Sequence, residues 1–120
     1  MIRVLVTFCF LLLSCNAAEP VKFEKEYGSP DRFEKTIQQF EAADSKKMPP
    51  QGAVVVTGSS SVRMWHKMIK NDLAPLTVIP RGFGGSNMNE LLHYSDRIVL
   101  KYKPRAVVIY EGDNDTAQGI

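Results

Sequence analysis

The sequence is poor in cysteine. Its 120 residues include only two, Cys9 and Cys15, and both lie within the first fifteen positions. The rest of the chain therefore has no pair of thiols for a disulfide. Stability must come from apolar packing, for which a hydrophobic content of 44% is ordinary. This length leaves room for one small domain.

The sequence also lacks a strong charge of either sign. Fifteen lysines and arginines against thirteen aspartates and glutamates give a formal net charge of +2, and no basic run indicates contact with nucleic-acid phosphates. The two histidines, His66 and His93, stand far apart among scattered carboxylates, which is not the spacing of metal ligands. We therefore expect no nucleic-acid partner, no metal and no other cofactor.

No apolar run is long enough to cross a membrane. The longest covers residues 4–13 and follows Arg3, which is about half of the roughly twenty apolar residues that a span needs. A short positive segment, an apolar stretch and then small residues are typical of an export signal. We assign residues 1–18 to such a signal and predict a periplasmic or extracellular protein.

Two alternatives exist for the cleavage of this signal. The segment 12–15, Leu-Leu-Ser-Cys, resembles a bacterial lipobox, in which Cys15 would be acylated and would anchor a lipoprotein to the membrane. The segment 15–17, Cys-Asn-Ala, would also suit an ordinary signal peptidase. Residues 19–28 are polar and without a convincing period, so we interpret them as a tether.

Helical and strand patterns alternate after residue 28. Ser29 is a good N-cap, Pro30 suits the first helical position, and apolar residues recur at helical spacing from Phe33 to Phe40. Three short apolar runs predict strands, and the segments between them predict helices. The predicted strands are 53–57, 76–80 and 106–110, and the predicted helices between them are 61–71 and 87–103.

The order of these elements predicts the fold class. Asn87 and Glu90 have the spacing of a capping box, which marks a helix start, and Pro104 ends that helix. The βαβαβ order indicates a parallel sheet, and we predict an α/β fold, flavodoxin-like with three α/β/α layers, for residues 29–120. Three strands are fewer than the roughly five or six of a mean sheet. We therefore expect the chain to be part of a longer domain.

Polar groups and glycines follow all three predicted strands. The first strand is followed by Gly-Ser-Ser-Ser at 58–61, the second by Arg-Gly-Phe-Gly-Gly-Ser at 81–86, and the third by Glu-Gly-Asp-Asn-Asp at 111–115. In an open parallel sheet, ligands bind outside the carboxyl ends of the strands. A hydroxyl, a glycine N–H and a side-chain amide at one edge would make a nucleophile with two donors for an oxyanion, as acyl transfer requires.

These segments resemble the N-terminal sequence blocks of the SGNH (GDSL-type) hydrolase family. Residues 58–60 are similar to its first block, Gly85 falls where the second block has its oxyanion-hole glycine, and residues 112–115 match the Gly-x-Asn-Asp of the third. The resemblance covers residues 52–120. It implies that Ser60 is the nucleophile of a carboxylic ester hydrolase, and that Gly85, Asn114 and the Ser60 N–H stabilise the oxyanion.

The sequence departs from the family pattern at two points. Ser59 stands where the family more often has Asp, which we interpret as a variation that supports the turn. The family's fourth block, an Asp and a His three residues apart, is absent, so the resemblance implies a nearly inactive fragment of a complete esterase. His66 and His93 lie on predicted helices away from the strand ends, and we do not expect either to replace the missing base.

Other interpretations remain open from the sequence. The serines 59–61 and the glycine loop could hold a phosphate or a glycan in a non-catalytic flavodoxin-like module, and a product that never folds is a third alternative. Arg81 could contact an anionic group of a substrate or form a surface salt bridge. For an esterase we expect a small-molecule, glycan or lipid ester, such as an O-acetyl group on a glycan or a short acyl chain on a lipid.

Overall fold

A computed structural model describes residues 25–120. The predicted export signal, Cys15 and residues 19–24 of the tether lie outside the described residues. Residues 25–28 are irregular and contact the last helix of the chain: the Lys25 N–H donates to the Gly119 carbonyl at 3.2 Å, and the Tyr27 hydroxyl donates to Asp115 at 2.7 Å. None of the helices between residues 25 and 120 combines the length and the apolar character that a membrane span requires.

The helices and strands alternate in the predicted order. Ser29 accepts a hydrogen bond from the Asp31 N–H at 3.3 Å and so begins a 3-10 turn, Pro30–Phe33, that leads into helix α1, Glu34–Lys46. The elements that follow are β1 (Val54–Gly58), α2 (Ser60–Trp65), α3 (Ile69–Asp72), β2 (Val78–Gly82), α4 (Met88–Ile98), a 3-10 turn (Leu100–Tyr102), β3 (Ala106–Tyr110) and α5 (Asp113–Gln118).

Two helices are shorter than the sequence predicts. The segment 61–71 forms α2 and α3 instead of one helix. At the break, backbone N–H groups donate to the carbonyl three residues earlier, as Met68 does to Trp65, and not to the carbonyl four residues earlier as in an α-helix. The helix predicted over 87–103 starts at its capping box but ends at Ile98, because Val99 leaves helical dihedral angles with φ −126° and ψ −66°. The rest of that segment tightens into the second 3-10 turn.

The three strands form one parallel sheet in the order β2-β1-β3. They pair in register, so that Gly58 at the end of β1 lies opposite Gly82 at the end of β2 and Tyr110 at the end of β3. The three loops that follow the strands therefore start side by side. This is the edge of the sheet where the sequence predicts a site.

Helices cover both faces of β1, which is buried along its whole length. One core cluster lies between the sheet and the pair α1 and α4, and the other lies between the sheet and the pair α2 and α3. The first cluster contains Ile37, Ala53, Val55, Ile79, Phe83, Leu91, Tyr94, Ile98, Val99 and Tyr102, and the second contains Val54, Val56, Val62, Ile69 and Val78. The architecture is α/β with a small parallel sheet flanked by helices, compatible with part of a flavodoxin-like fold.

Strand β3 is the exposed strand of this sheet. It lies at the edge, and Val107, Val108, Ile109 and Tyr110 keep between 39% and 54% of their surface exposed. An apolar groove runs along each face of the strand, one against α4 and the other against α2. The same apolar composition is thus buried in β1 and accessible in β3.

Candidate active site

Ser60 is the first residue of α2 and follows β1 after a single residue. Gly58 makes the turn before it: its φ is +136°, and a Cβ at this position would lie 1.9 Å from the Tyr110 carbonyl oxygen. Only a glycine allows β3 to approach so closely here. Ser60 itself is exposed, so its hydroxyl is accessible to a substrate at the carboxyl edge of the sheet.

The loop 83–87, between β2 and α4, lies beside this turn. A Cβ on Gly84 would be 3.6 Å from the Ser60 Cα. Gly85 has a φ of +87°, in the region that favours glycine, and its N–H donates to the Ser59 Oγ at 3.1 Å. Its carbonyl oxygen accepts a hydrogen bond from the Arg32 guanidinium at 2.9 Å. The peptide groups on both sides of Gly85 are therefore held by hydrogen bonds, and the Gly85 N–H points toward the Ser59 Oγ.

Asn114 lies in the first turn of α5, at the end of β3. Gly112 precedes the helix with a φ of +104°, which turns the chain back over the strand end. The Asn114 side-chain amide donates to the Ser59 Oγ at 2.6 Å and to the Ser86 carbonyl oxygen at 2.7 Å. Both hydrogens of the amide are thus used, and the Asn114 side chain connects the loops that follow all three strands.

The structure brings the predicted donors together, but they meet at Ser59 and not at Ser60. Ser59 is only 3% exposed, whereas its neighbour Ser60 is exposed. The Gly85 N–H and the Asn114 amide therefore share a buried acceptor on the residue that precedes the exposed Ser60. From the sequence, Ser59 is interpreted only as a residue that supports the turn, and its role as a shared acceptor is missed. The sequence signal for this role is a polar residue between a buried strand and a helix.

Glu111 is a second polar residue at this site whose role has no signal in the sequence. Its Oε1 accepts a hydrogen bond from the Ser86 Oγ at 2.6 Å, while its Oε2 is buried and has no hydrogen-bond partner among the described residues. Burial raises the pKa of Glu111 to about 7, and neighbouring carboxylates act in the same direction. The hydrogen bond from Ser86 opposes this shift. A carboxyl group that titrates near neutral pH therefore lies behind the loop that carries Gly85.

The contacts of the two histidines lie elsewhere. The His66 Nε2 accepts a hydrogen bond from the Gly82 N–H at 2.9 Å, and burial lowers the pKa of this imidazole. His93 lies 3.8 Å from Asp31, and its ring packs edge-on against Tyr94. Within residues 25–120, no hydrogen bond joins either ring to Ser60.

Arg81 is buried, at 8% exposure, in the layer between the sheet and α1. Its guanidinium pairs with Asp44 and donates to the Tyr102 hydroxyl and to the Pro80 carbonyl oxygen, both at 2.8 Å. The ion pair is thus internal, in contrast to the surface salt bridge considered from the sequence. A contact between Arg81 and a substrate stays a prediction.

Comparison with protein-family models and with curated proteins identifies no relative of this chain. The chain matches no protein-family model, and no curated protein is significantly similar to it. Between residues 25 and 120, no group of three or more His, Cys, Asp or Glu side chains is placed to hold a metal ion. The chemistry of the candidate site therefore depends on its own hydroxyl and amide groups.

Proposed function

We propose that this chain carries the nucleophile and the oxyanion donors of a serine ester hydrolase of the SGNH (GDSL-type) class. One observation carries the proposal: the Gly85 N–H and the Asn114 amide, which follow two different strands, converge on the Ser59 Oγ, on the residue that precedes the exposed Ser60. Acyl transfer needs two such donors next to a nucleophile. A phosphate held at the first turn alone would need neither Gly85 nor Asn114.

In the proposed reaction, the Ser60 Oγ attacks the carbonyl carbon of an ester and its proton passes to a base. The carbonyl oxygen becomes an oxyanion, which accepts hydrogen bonds from Gly85, Asn114 and the Ser60 N–H. The tetrahedral intermediate expels the alcohol, which takes up a proton, and leaves the acyl group on Ser60. Water then attacks this acyl-enzyme, releases the carboxylic acid and restores the Ser60 hydroxyl.

The base of this proposal is the histidine that the family resemblance implies, oriented by an aspartate three residues away. One oxyanion donor contributes roughly 10² to 10³ in rate, whereas loss of a triad base costs on the order of 10⁴ to 10⁶. We therefore propose that residues 25–120 alone hydrolyse esters at a very small fraction of the rate of an enzyme that includes the base.

The proposed substrates are carboxylic esters outside the cytoplasm. The signal-like residues 1–18 support export to the periplasm or the medium, with a lipid anchor at Cys15 as one alternative. An O-acetyl group on a glycan and a short acyl chain on a lipid are both compatible with the open position of Ser60. The proposed reaction requires no cofactor.

A fluorophosphonate probe tests the nucleophile directly, because it reacts covalently with activated serine hydroxyls. The full-length gene product and the variants Ser60→Ala and Ser61→Ala are each treated with the probe, and labelling is quantified by mass spectrometry. We expect wild type and Ser61→Ala to be labelled and Ser60→Ala to remain unlabelled. Equal labelling of wild type and Ser60→Ala would overturn the assignment of Ser60 as the nucleophile. A wild type that stays unlabelled but is stabilised against heat by phosphate would instead favour the non-catalytic phosphate-binding module.

A further inference from the structure

The Ser59 Oγ is a shared acceptor for two donors that come from different parts of the chain. The Gly85 N–H reaches it from the loop after β2, at 3.1 Å, and the Asn114 amide reaches it from α5, at 2.6 Å. Within residues 25–120, it is the one atom to which both donors are hydrogen-bonded. At 3% exposure, Ser59 is shielded from water that could otherwise compete for these donors.

The backbone of Ser59 is fixed as firmly as its side chain. Its N–H donates to the Tyr110 carbonyl oxygen at 3.1 Å, and its carbonyl oxygen accepts from the Arg63 N–H at 3.0 Å. These two bonds tie Ser59 to the end of β3 and to the first turn of α2. The Oγ therefore has a defined position relative to the next residue, Ser60.

A hydroxyl oxygen has two lone pairs and can accept both hydrogen bonds at once. The second hydrogen of the Asn114 amide is bound by the Ser86 carbonyl oxygen, so the amide plane is fixed by two acceptors. An amide N–H can also be shared between two acceptors. Because hydrogen bonds to an ionised acceptor are roughly twice as strong as those to a neutral one, an oxyanion forming beside Ser59 would draw both N–H groups toward itself.

We propose that Ser59 is a positioning residue, whose Oγ holds the Gly85 N–H and the Asn114 amide in place for the oxyanion formed at Ser60. The inference rests on the proposed ester hydrolase function. Donors that are held close to their final orientation need little reorganisation when the charge develops, and this preorganisation is the main source of oxyanion-hole catalysis. Ser59 acts through these donors and does not itself touch the reacting atoms.

The test compares Ser59→Ala, Ser59→Thr and the control Ser61→Ala in the full-length gene product. Ser59→Ala leaves both donors in the protein but removes their common acceptor, so we expect kcat on a p-nitrophenyl ester to fall by roughly ten- to a hundredfold, less than the loss of a donor itself. KM and the pH profile should stay unchanged, since neither substrate binding nor the base is altered. Ser59→Thr retains the acceptor and should restore kcat to within about threefold of wild type.

A second measurement does not depend on activity. In ¹H-¹⁵N NMR spectra, Ser59→Ala should shift the Gly85 backbone amide and the Asn114 side-chain amide, while Ser61→Ala should leave both in place. A wild-type kcat in a folded Ser59→Ala variant would overturn the inference, as would equal losses of kcat in the Ala and Thr variants. Failure of Ser60 to react with the fluorophosphonate probe would instead overturn the proposed function, so the two failures are distinguishable.

Discussion

Replacing Glu111 by Gln should remove a loss of stability that wild type suffers between mildly acidic and neutral pH. The Glu111 carboxyl has one oxygen bonded to Ser86 and the other buried without a partner among the described residues. Its charged form is therefore poorly solvated, and burial raises its pKa from 4.5 to about 7. Gln has nearly the same shape and never ionises.

The sign of the effect follows from proton binding. Between pH 4.5 and about 7, the folded protein keeps a proton on Glu111 that the unfolded chain has released, so the free energy of unfolding decreases as pH rises through this window. The stability that follows from the raised pKa of Glu111 is fully present below pH 4.5 and is lost as the pH rises above about 7. One unit of pKa corresponds to about 1.4 kcal/mol, so the difference between 4.5 and about 7 gives an upper limit of about 3.5 kcal/mol. Partial access of water reduces our expectation to about 1–2 kcal/mol.

The assay is urea denaturation of wild type and Glu111→Gln at several pH values from 4.5 to 7.5. The free energy of unfolding of the variant, relative to that of wild type, should rise by about 1–2 kcal/mol across this range. His66 acts in the opposite direction, because burial lowers its pKa and the stability it contributes is lost as pH falls, but this residue is common to both proteins and cancels. Glu26→Gln, at an exposed carboxylate, is the matched control. Parallel curves for wild type and Glu111→Gln would show that ionisation of Glu111 does not destabilise the folded protein.

Two further predictions concern stability. Gly58→Ala would place a Cβ 1.9 Å from the Tyr110 carbonyl oxygen at a φ of +136°, so we expect the free energy of unfolding in urea to fall by more than about 2 kcal/mol. The control Gly28→Ala places its Cβ in open space and should lower it by less than about 0.5 kcal/mol. Similar losses in both variants would contradict the close approach of β1 and β3. Asp44→Ala leaves the buried Arg81 without its carboxylate partner and should cost about 3–5 kcal/mol. A thermal midpoint close to that of wild type would show that Arg81 does not depend on this pair.

The sequence predicted the architecture because its strongest signals are local. The run that became β1 has no polar alternation, which is typical of a strand buried on both faces, and the structure confirms that burial. Asn87 and Glu90 fixed the start of α4 through hydrogen bonds that span only three residues. The predicted end of the same helix, residue 103, lies beyond its observed end at Ile98. Pro104 is a strong helix breaker, whereas no residue type marks the change of dihedral angles at Val99.

The details of the candidate site were less predictable because they depend on which way neighbouring side chains point. Ser59 and Ser60 are adjacent and chemically identical, and only the fold decides that one is buried among donors while the other is exposed. Arg81 ends in an ion pair with Asp44, thirty-seven positions away along the chain. Glu111 gave no sequence signal, since its raised pKa results from burial by loops that come together only in three dimensions.

The pairing of β1 with β3 supports two parts of the candidate site at once. Asn114 lies four residues after the end of β3, and the Ser59 N–H is bonded to the last residue of that strand, Tyr110. Separation of β3 from β1 would therefore withdraw Asn114 and release the Ser59 N–H in a single event, so both donors of the candidate site depend on the pairing of these two strands.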